Sequence, residues 1–499
     1  MIRPRNRIPA QPPDPAVALV IGLLAFAATL FARQVLNDSD TYWHIRAGEW
    51  MLDHRALLTF DPFSYTFAGR PWQTHEWLSE IILALAYRGA GWSAVVLLTA
   101  ACFAATGALL AWHISRFFSR PATILTTVIA LASIAPSLLA RPHILALPLF
   151  GAWTAGLVLA RSRRRPPSLA LVVVIVLWAN LHASFILGLV LAVAFAFEAA
   201  LEEERRWATL QAWAPFLGLS VVGALCTPYG LAGLLFPLKL NAMPSLAFVS
   251  EWQPTDLKHL QAFELGMCFL IYIAISRRVW PGVVRAMMLI VLTYLAFAHA
   301  RHQMLLAVVA PLIIAEPCAA VLGRTIPAVS PRSIGIAASI TVVAAVVLAG
   351  ARLVSPIVRT DAITSPVSAL SHVPPGLSRT AVLNDYAFGG YLIFQDVKPF
   401  VDSRAELYGN DWLKGYAGLL SAPASSLRQS LDRRGVRWTI FAAQNPIVAK
   451  LDALPGWKRL YSDKWAVVQV RAAELTAVKN AQVPGRRSLP ARFHDRPVG

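Results

Sequence analysis

Long apolar runs recur along this chain, and no other feature constrains its fold as strongly. A stretch of roughly 17–25 residues almost free of charge is long enough to cross a bilayer as a helix. Such stretches fall at 16–36, 92–114, 121–139, 143–160, 168–181, 183–201, 209–227, 261–276, 282–299, 303–322 and 334–354. That makes about eleven spans, although 168–201 can also be read as one long kinked helix. Only 14% of the residues are charged and the mean hydropathy is +0.55. A soluble domain averages about 25% charged residues. The pattern predicts an α-helical polytopic membrane protein.

The net charge of +18 invites a nucleic-acid partner. The arginines, however, sit in short clusters between apolar runs, which is how a membrane protein distributes positive charge; no nucleic acid is expected. With the N-terminus inside, the inner connections hold Arg116, Arg120, Arg161, Arg163, Arg164, Arg165, Arg205, Arg206, Arg277, Arg278, Arg324 and Arg332. The short outer connections hold chiefly Arg141 and Arg301. Charge therefore predicts residues 1–15 as a cytoplasmic segment and an extracytoplasmic C-terminus. Arg3, Arg5 and Arg7 before the first run also fit a signal peptide, but that run is long for one. Cys102, Cys226, Cys268 and Cys318 lie within apolar stretches without CxxC spacing, as ordinary packing residues do.

The spans occupy 16–355, and two outer segments are too large for connectors. The first is 37–91. The second, 356–476, reads as a small α/β domain. It has short strands at Ala381–Leu383, Phe400–Val401, Trp438–Phe441 and Ala466–Val470, with helices at Pro423–Leu431 and Asn445–Leu454. The basic tail 477–499 has the composition of a disordered segment.

The chemistry-bearing residues concentrate in these outer segments. Asp38 and Asp40 follow the first span at the expected membrane surface, where carboxylates are costly. Such a pair can take a proton from an acceptor hydroxyl, share a divalent cation such as Mg or Mn, or cap the next helix. Tyr42–Leu52 has the spacing of an amphipathic helix that can lie on the bilayer. Gly69-Arg70-Pro71-Trp72 then leads to His75-Glu76-Trp77-Leu78, opening a helix that ends at Gly89–Trp92. Further outer-end polar residues are Arg141, His143, Asn180, His182, Lys239, Glu251, His299, Arg301 and His302. Arginine suits a phosphate diester through its planar fork, so Arg301 is the first choice of phosphate ligand, with Arg141 and Lys239 next. Each also fits simple interfacial anchoring. The histidines show no HxxxH or HxxE spacing for a metal. In the C-terminal segment, Asp385-Tyr386 follows a strand, Gly389-Gly390 permits a close backbone approach, and Asp402, Arg404 and Glu406 follow the next expected strand.

An acidic pair after the first span, a surface helix, a G-x-P turn and a polar pair before W-L resemble the GT-C glycosyltransferases. The pattern is most similar to the protein O-mannosyltransferase and aminoarabinose transferase families. His75-Glu76 stands where those families carry a proline pair. The Asp385-Tyr386 segment resembles the acceptor-recognition motif of oligosaccharyltransferases, which begins W-W-D-Y-G; this chain has Leu383-Asn384 in place of the tryptophans. The resemblance implies an inverting enzyme of a bacterial-type inner membrane. It would move a sugar from a polyprenyl-phosphate donor to a lipid, glycan or protein acceptor at the outer face. Asp38 or Asp40 would match the family's acidic catalytic residue, with His75, Glu76, Arg141, His182, Lys239, Arg301, Asp385, Tyr386 and Arg404 binding substrate. A transporter of lipid-linked saccharides and a non-catalytic scaffold are the other classes. The absence of an inverted repeat counts against the transporter.

Overall fold

The structure is a computed structural model that describes residues 11–474 apart from 245, 247–249 and 323–330. The basic tail and Arg3, Arg5, Arg7 and Arg324 lie outside the described residues. The helices of the first part are α1 Pro15–Phe31, α2 Asp40–His54, α3 Trp77–Ile114, α4 Arg120–Ile134, α5 Pro142–Ser162, α6 Val172–Leu181, α7 Phe185–Glu202, α8 Arg206–Leu225, α9 Gly230–Asn241, α10 Ala262–Ser276, α11 Val283–Ala298, α12 Gln303–Leu322 and α13 Pro331–Val354. Every expected span overlaps a helix, although 16–36 and 121–139 run past the ends of α1 at Phe31 and α4 at Ile134. Among the described residues, 6 helical stretches are long and apolar enough to cross a membrane, and four more apolar helices run 10–17 residues. The apolar window of α13 is entirely unburied, which suits a lipid-facing surface and no aqueous one. The chain is a membrane protein.

The helix expected to end at Gly89–Trp92 does break there. Ala90 and Gly91 leave helical geometry, with Gly91 at φ 59°, before α3 continues as a span. The positive φ is one that glycine adopts without a Cβ penalty. The α2 helix departs from the expectation of a helix lying on the bilayer. Tyr42 and Ile45 are fully buried, because α2 is covered by α3 on one side and by the C-terminal segment on another.

The C-terminal segment carries α14 Val367–Ser371, α15 Pro375–Ser378, α16 Gly389–Phe394, α17 Ala405–Ser421, α18 Ala424–Arg433 and α19 Ile447–Asp452. Its strands are β1 Val382–Asn384, β2 Trp438–Ala442, β3 Trp457–Ser462 and β4 Ala466–Arg471. They form one sheet in the order β1-β2-β4-β3, with β1 parallel to β2 and the other pairs antiparallel. Phe400–Val401, expected as a strand, is a loop. Side chains take its backbone bonds instead: Phe400 N donates to Asn384 Oδ1, Asn384 Nδ2 donates to Val401 O, and Thr66 Oγ1 donates to Phe400 O, each at 2.8 Å.

Two polar clusters sit at opposite ends of the bundle. One is the candidate site below. The other joins four helices: Arg285 of α11 pairs with Glu198 of α7 at 2.9 Å and Glu316 of α12 at 3.5 Å, while Arg161 of α5 pairs with Glu198 and Glu202 at 3.4 and 3.0 Å. Charges buried among apolar helices persist when paired in this way.

Candidate active site

Local geometry positions the acidic pair. The Asp38 carboxylate closes the turn before α2 by accepting the Asp40 N–H through Oδ1 at 2.7 Å, as a capping side chain does. Its Oδ2 is left for another partner. Arg141 supplies it. Because Pro142 starts α5, Arg141 is held extended at φ −127°, ψ 163°, and its side chain reaches across to α2.

The Arg141 guanidinium meets three carboxylates. Nε lies 3.2 Å from Asp38 Oδ2, Nη2 binds Asp40 Oδ2, and Nη1 is 2.7 Å from Glu251 Oε2. Glu251 is shared with Arg301, whose Nη1 lies 3.2 Å away and whose guanidinium stacks 4.5 Å over the Trp252 ring. Trp43 Nε1 donates to Asp40 Oδ1 at 3.3 Å and to Ser403 Oγ at 3.1 Å, which ties the pair to the C-terminal segment.

Burial and charge set the protonation states. Desolvation pushes Asp38 up to about 7 and raises Asp40, with Arg141 pulling back and the neighbouring acids adding to the rise. Burial also favours a neutral Glu251, but Arg141 and Arg301 outweigh it and hold that carboxylate down at about 2. Both acids of the pair are thus raised above the usual carboxylate range, Asp38 to about 7.

Beside this group, Glu76 is surrounded by imidazoles: His182 at 3.4 Å, His75 at 3.6 Å and His44 at 3.7 Å. His44 also approaches Glu80 at 3.4 Å. Burial opposes charge on His75, but Glu76 overrides it and raises its pKa, and Glu76 is lowered in turn. His44, more deeply buried, is pushed down to about 3 and stays neutral. His75 stacks on Phe236 of α9 at 3.9 Å.

Three solved structures share this architecture. The archaeal oligosaccharyltransferase AglB from Archaeoglobus fulgidus, in complex with an inhibitory peptide and a dolichol-phosphate, aligns with a TM-score of 0.53 at 12% identity, over 86% of this chain and 69% of its own. ArnT from Cupriavidus metallidurans bound to undecaprenyl phosphate gives 0.50 at 12% identity, over 91% and 97%. The arabinofuranosyltransferase AftD from Mycobacteria gives 0.51 at 14% identity, over 92% of this chain and 40% of that one. The chain has the GT-C fold. No protein-family model matches it, and no curated protein is similar to it in sequence.

On the GT-C fold, the residues singled out from sequence separate into three groups. Asp38, Asp40, Arg141, Glu251 and Arg301 form one connected cluster, and His75, Glu76 and His182 form a second. The rest are placed differently. Arg404 is wholly buried as a tie, 2.7 Å from Asp402 and 2.8 Å from Asp61 of the first loop. Asp385 accepts from Ala387 N, Ala442 N and Asn445 Nδ2, so its carboxylate fixes the ends of β1 and β2. Lys239 is exposed on α9. The Tyr386 hydroxyl is buried without a hydrogen-bond partner. Burial, with Asp40, Asp402, Glu406 and Glu251 nearby, raises it well above its ordinary value, so it remains an O–H donor. His44, Glu80 and Ser403 join the site without having been singled out. His44 and Glu80 carry a local signal, each four residues from a singled-out acid, Asp40 and Glu76; Ser403 carries none.

A divalent cation shared by Asp38 and Asp40 does not fit this arrangement, because Arg141 already bridges the pair. Among the described residues, no group of three or more His, Cys, Asp or Glu side chains is placed to hold a metal ion.

Proposed function

We propose that this chain is a glycosyltransferase that moves a sugar from a polyprenyl-phosphate donor to an acceptor hydroxyl at the outer face of a bacterial inner membrane. The observation that carries the reading is the Asp38–Arg141–Asp40 group. It combines a carboxyl group poised near neutrality with fixed positive charge, where the first loop, the bundle and the C-terminal segment meet. The neighbours support it through what they bind: dolichol-phosphate for AglB and undecaprenyl phosphate for ArnT.

In this reading Asp38, ionised, removes the proton from the acceptor hydroxyl. The acceptor oxygen forms its bond to the anomeric carbon as the carbon–oxygen bond to phosphate breaks, and polyprenyl phosphate departs with the electron pair and inversion at carbon. Asp40 holds Arg141 in register. Arg301, restrained by one carboxylate and an aromatic face, binds the departing phosphate. A proton acceptor in this role is worth about 10²–10⁴ in rate. Asp38→Asn should lose about that factor with membrane insertion intact. In the unaltered enzyme the base must be deprotonated, so kcat/KM should fall as pH drops below about 7. Wild-type transfer by the Asn variant, measured with reconstituted protein and a polyprenyl-phosphate sugar, would overturn the mechanism. With Arg141 between the aspartates, transfer should also survive EDTA; its abolition and recovery with Mg or Mn would assign the pair to a metal.

Tyr386 supplies a separate test. Its hydroxyl has no partner in the protein, so Tyr386→Phe removes no internal hydrogen bond and should hold or raise thermal stability. If the hydroxyl donates to bound substrate, kcat/KM should fall roughly tenfold, as for a loss of about 1.4 kcal/mol. An unchanged kcat/KM would remove Tyr386 from the site.

A further inference from the structure

The end of the bundle remote from Asp38 is ringed by arginine. Arg116 and Arg120 lie where α3 passes into α4, Arg163, Arg164 and Arg165 after α5, and Arg205 and Arg206 between α7 and α8. These turns meet in space: Arg161 binds Glu202 at 3.0 Å, and Arg163 is close enough to Arg116 to act on it electrostatically. Arg277 and Arg278 join them, because Gly266 near the start of α10 packs on Ile129 and Ser133 near the end of α4, so α10 runs back toward Arg120. All except Arg116 and the buried Arg161 are exposed.

Arg164 and Arg278 follow helices with φ of 51° and 50°. Glycine or asparagine takes this left-handed position most easily. Arginine gains there from the negative end of the helix and projects its charge beyond the apolar span.

Beside this collar lies an apolar groove of about 400 Å³ between α1 and α3, lined by Pro15, Ala18, Leu19, Ala108, Leu109 and Trp112. Its end at Pro15 and Trp112 adjoins a polar anchor: Asp14 N donates to Ser115 Oγ at 2.9 Å, and Arg120 Nε binds the Asp14 carboxylate at 2.7 Å. Trp112 is half-exposed and sits where aromatic residues mark the headgroup level. In a bilayer, filling a groove with an aliphatic chain brings no hydrophobic gain, since lipid tails are equally apolar. Selection must come from the headgroup: at the mouth of this groove Arg116 and Arg120 outnumber the single carboxylate, Asp14, so the net charge favours an anion.

We propose that this end of the protein binds an anionic glycerophospholipid, with one acyl chain in the α1–α3 groove and the headgroup phosphate at Arg116 and Arg120. The site rests on the membrane reading alone and does not depend on the proposed transferase activity. The experiment uses the full-length protein in nanodiscs containing brominated phosphatidylglycerol or brominated phosphatidylcholine at equal mole fraction. Quenching assigned to Trp112, by difference from Trp112→Phe, should be at least threefold stronger with phosphatidylglycerol. Arg116→Gln/Arg120→Gln should bring the two lipids to parity, and native mass spectrometry of the same protein should show the matching loss of retained phosphatidylglycerol. Equal quenching in the unaltered protein, or a preference that survives in the double variant, would overturn the proposal.

Discussion

Arg141→Gln is expected to remove transfer activity and to destabilise the protein by about 3–5 kcal/mol, the usual cost of deleting one partner from a buried ionic group. The substitution leaves Asp38, Asp40 and Glu251 gathered around a neutral amide. Glutamine reaches fewer oxygens than the guanidinium and neutralises none of the charge. Against a typical total stability of about 5–15 kcal/mol, such a loss moves the unfolding midpoint visibly in detergent. Arg141→Lys separates charge from geometry. A single ammonium cannot reproduce three contacts from one planar fork, so stability should recover in part while transfer stays low. The pH dependence has a definite sign. A carboxyl whose pKa is raised by folding contributes stability that is full below its unfolded value and lost as pH rises through its folded value. Asp38 already behaves this way, with a rise from 3.8 to about 7. Loss of Arg141 removes the interaction that holds it down, so the Gln variant should be most stable in mild acid and weaken towards neutral pH. A Gln variant that melts and transfers like the unaltered protein would show that Arg141 is peripheral.

The scaffold was largely legible in the sequence because its signals are local. Apolar runs marked the spanning helices of the bundle but not the short α9, and Gly91 marked the break in α3. The short apolar segments Ala381–Leu383, Trp438–Phe441 and Ala466–Val470 marked three of the sheet strands, β1, β2 and β4. What stayed hidden depends on contacts between distant residues. The β3 strand escaped notice because it is an edge strand whose exposed Lys458 and Arg459 break the apolar pattern. Phe400–Val401 has strand composition, yet Asn384 takes over the hydrogen bonds a neighbouring strand would make. Ser403 reaches the acidic pair through Trp43, 360 positions away, which no spacing rule could find. Arg404 is the same lesson reversed. In sequence it reads as a substrate-binding cation or a partner of nearby Asp402, and in the fold Asp402 and the distant Asp61 enclose it.

Gly389-Gly390 has the most direct consequence for the site. The sequence allowed a close approach to a ligand, whereas in the fold the approach is to the protein's own acidic loop. A Cβ built on Gly390 would lie 2.0 Å from the Ser39 carbonyl oxygen and 2.8 Å from Ser39 Oγ. Ordinary contact begins at 3.4 Å, and the first obstacle is backbone with no side chain to swing aside. Ser39 lies between Asp38 and Asp40, and Gly390 N donates to its hydroxyl at 3.3 Å. Relief therefore requires α16 to lift off α2 or the acidic turn to move against Arg141. A displacement of about 1 Å at reacting groups costs on the order of 10² in rate. Gly390→Ala should lose at least that factor, mainly in kcat, and Gly390→Val should lose more. Gly415 serves as the control. It lies inside α17 with nothing within 4 Å of its would-be Cβ, so Gly415→Ala should leave transfer unchanged and stabilise by about 0.5–1 kcal/mol. Full activity in Gly390→Ala, with the protein folded, would mean that the C-terminal segment does not hold the acidic pair in place. Activity lost together with the thermal transition would instead make the contact a requirement for folding. Loss of transfer with the transition retained is the result expected if α16 positions Asp38 and Asp40 for the reaction.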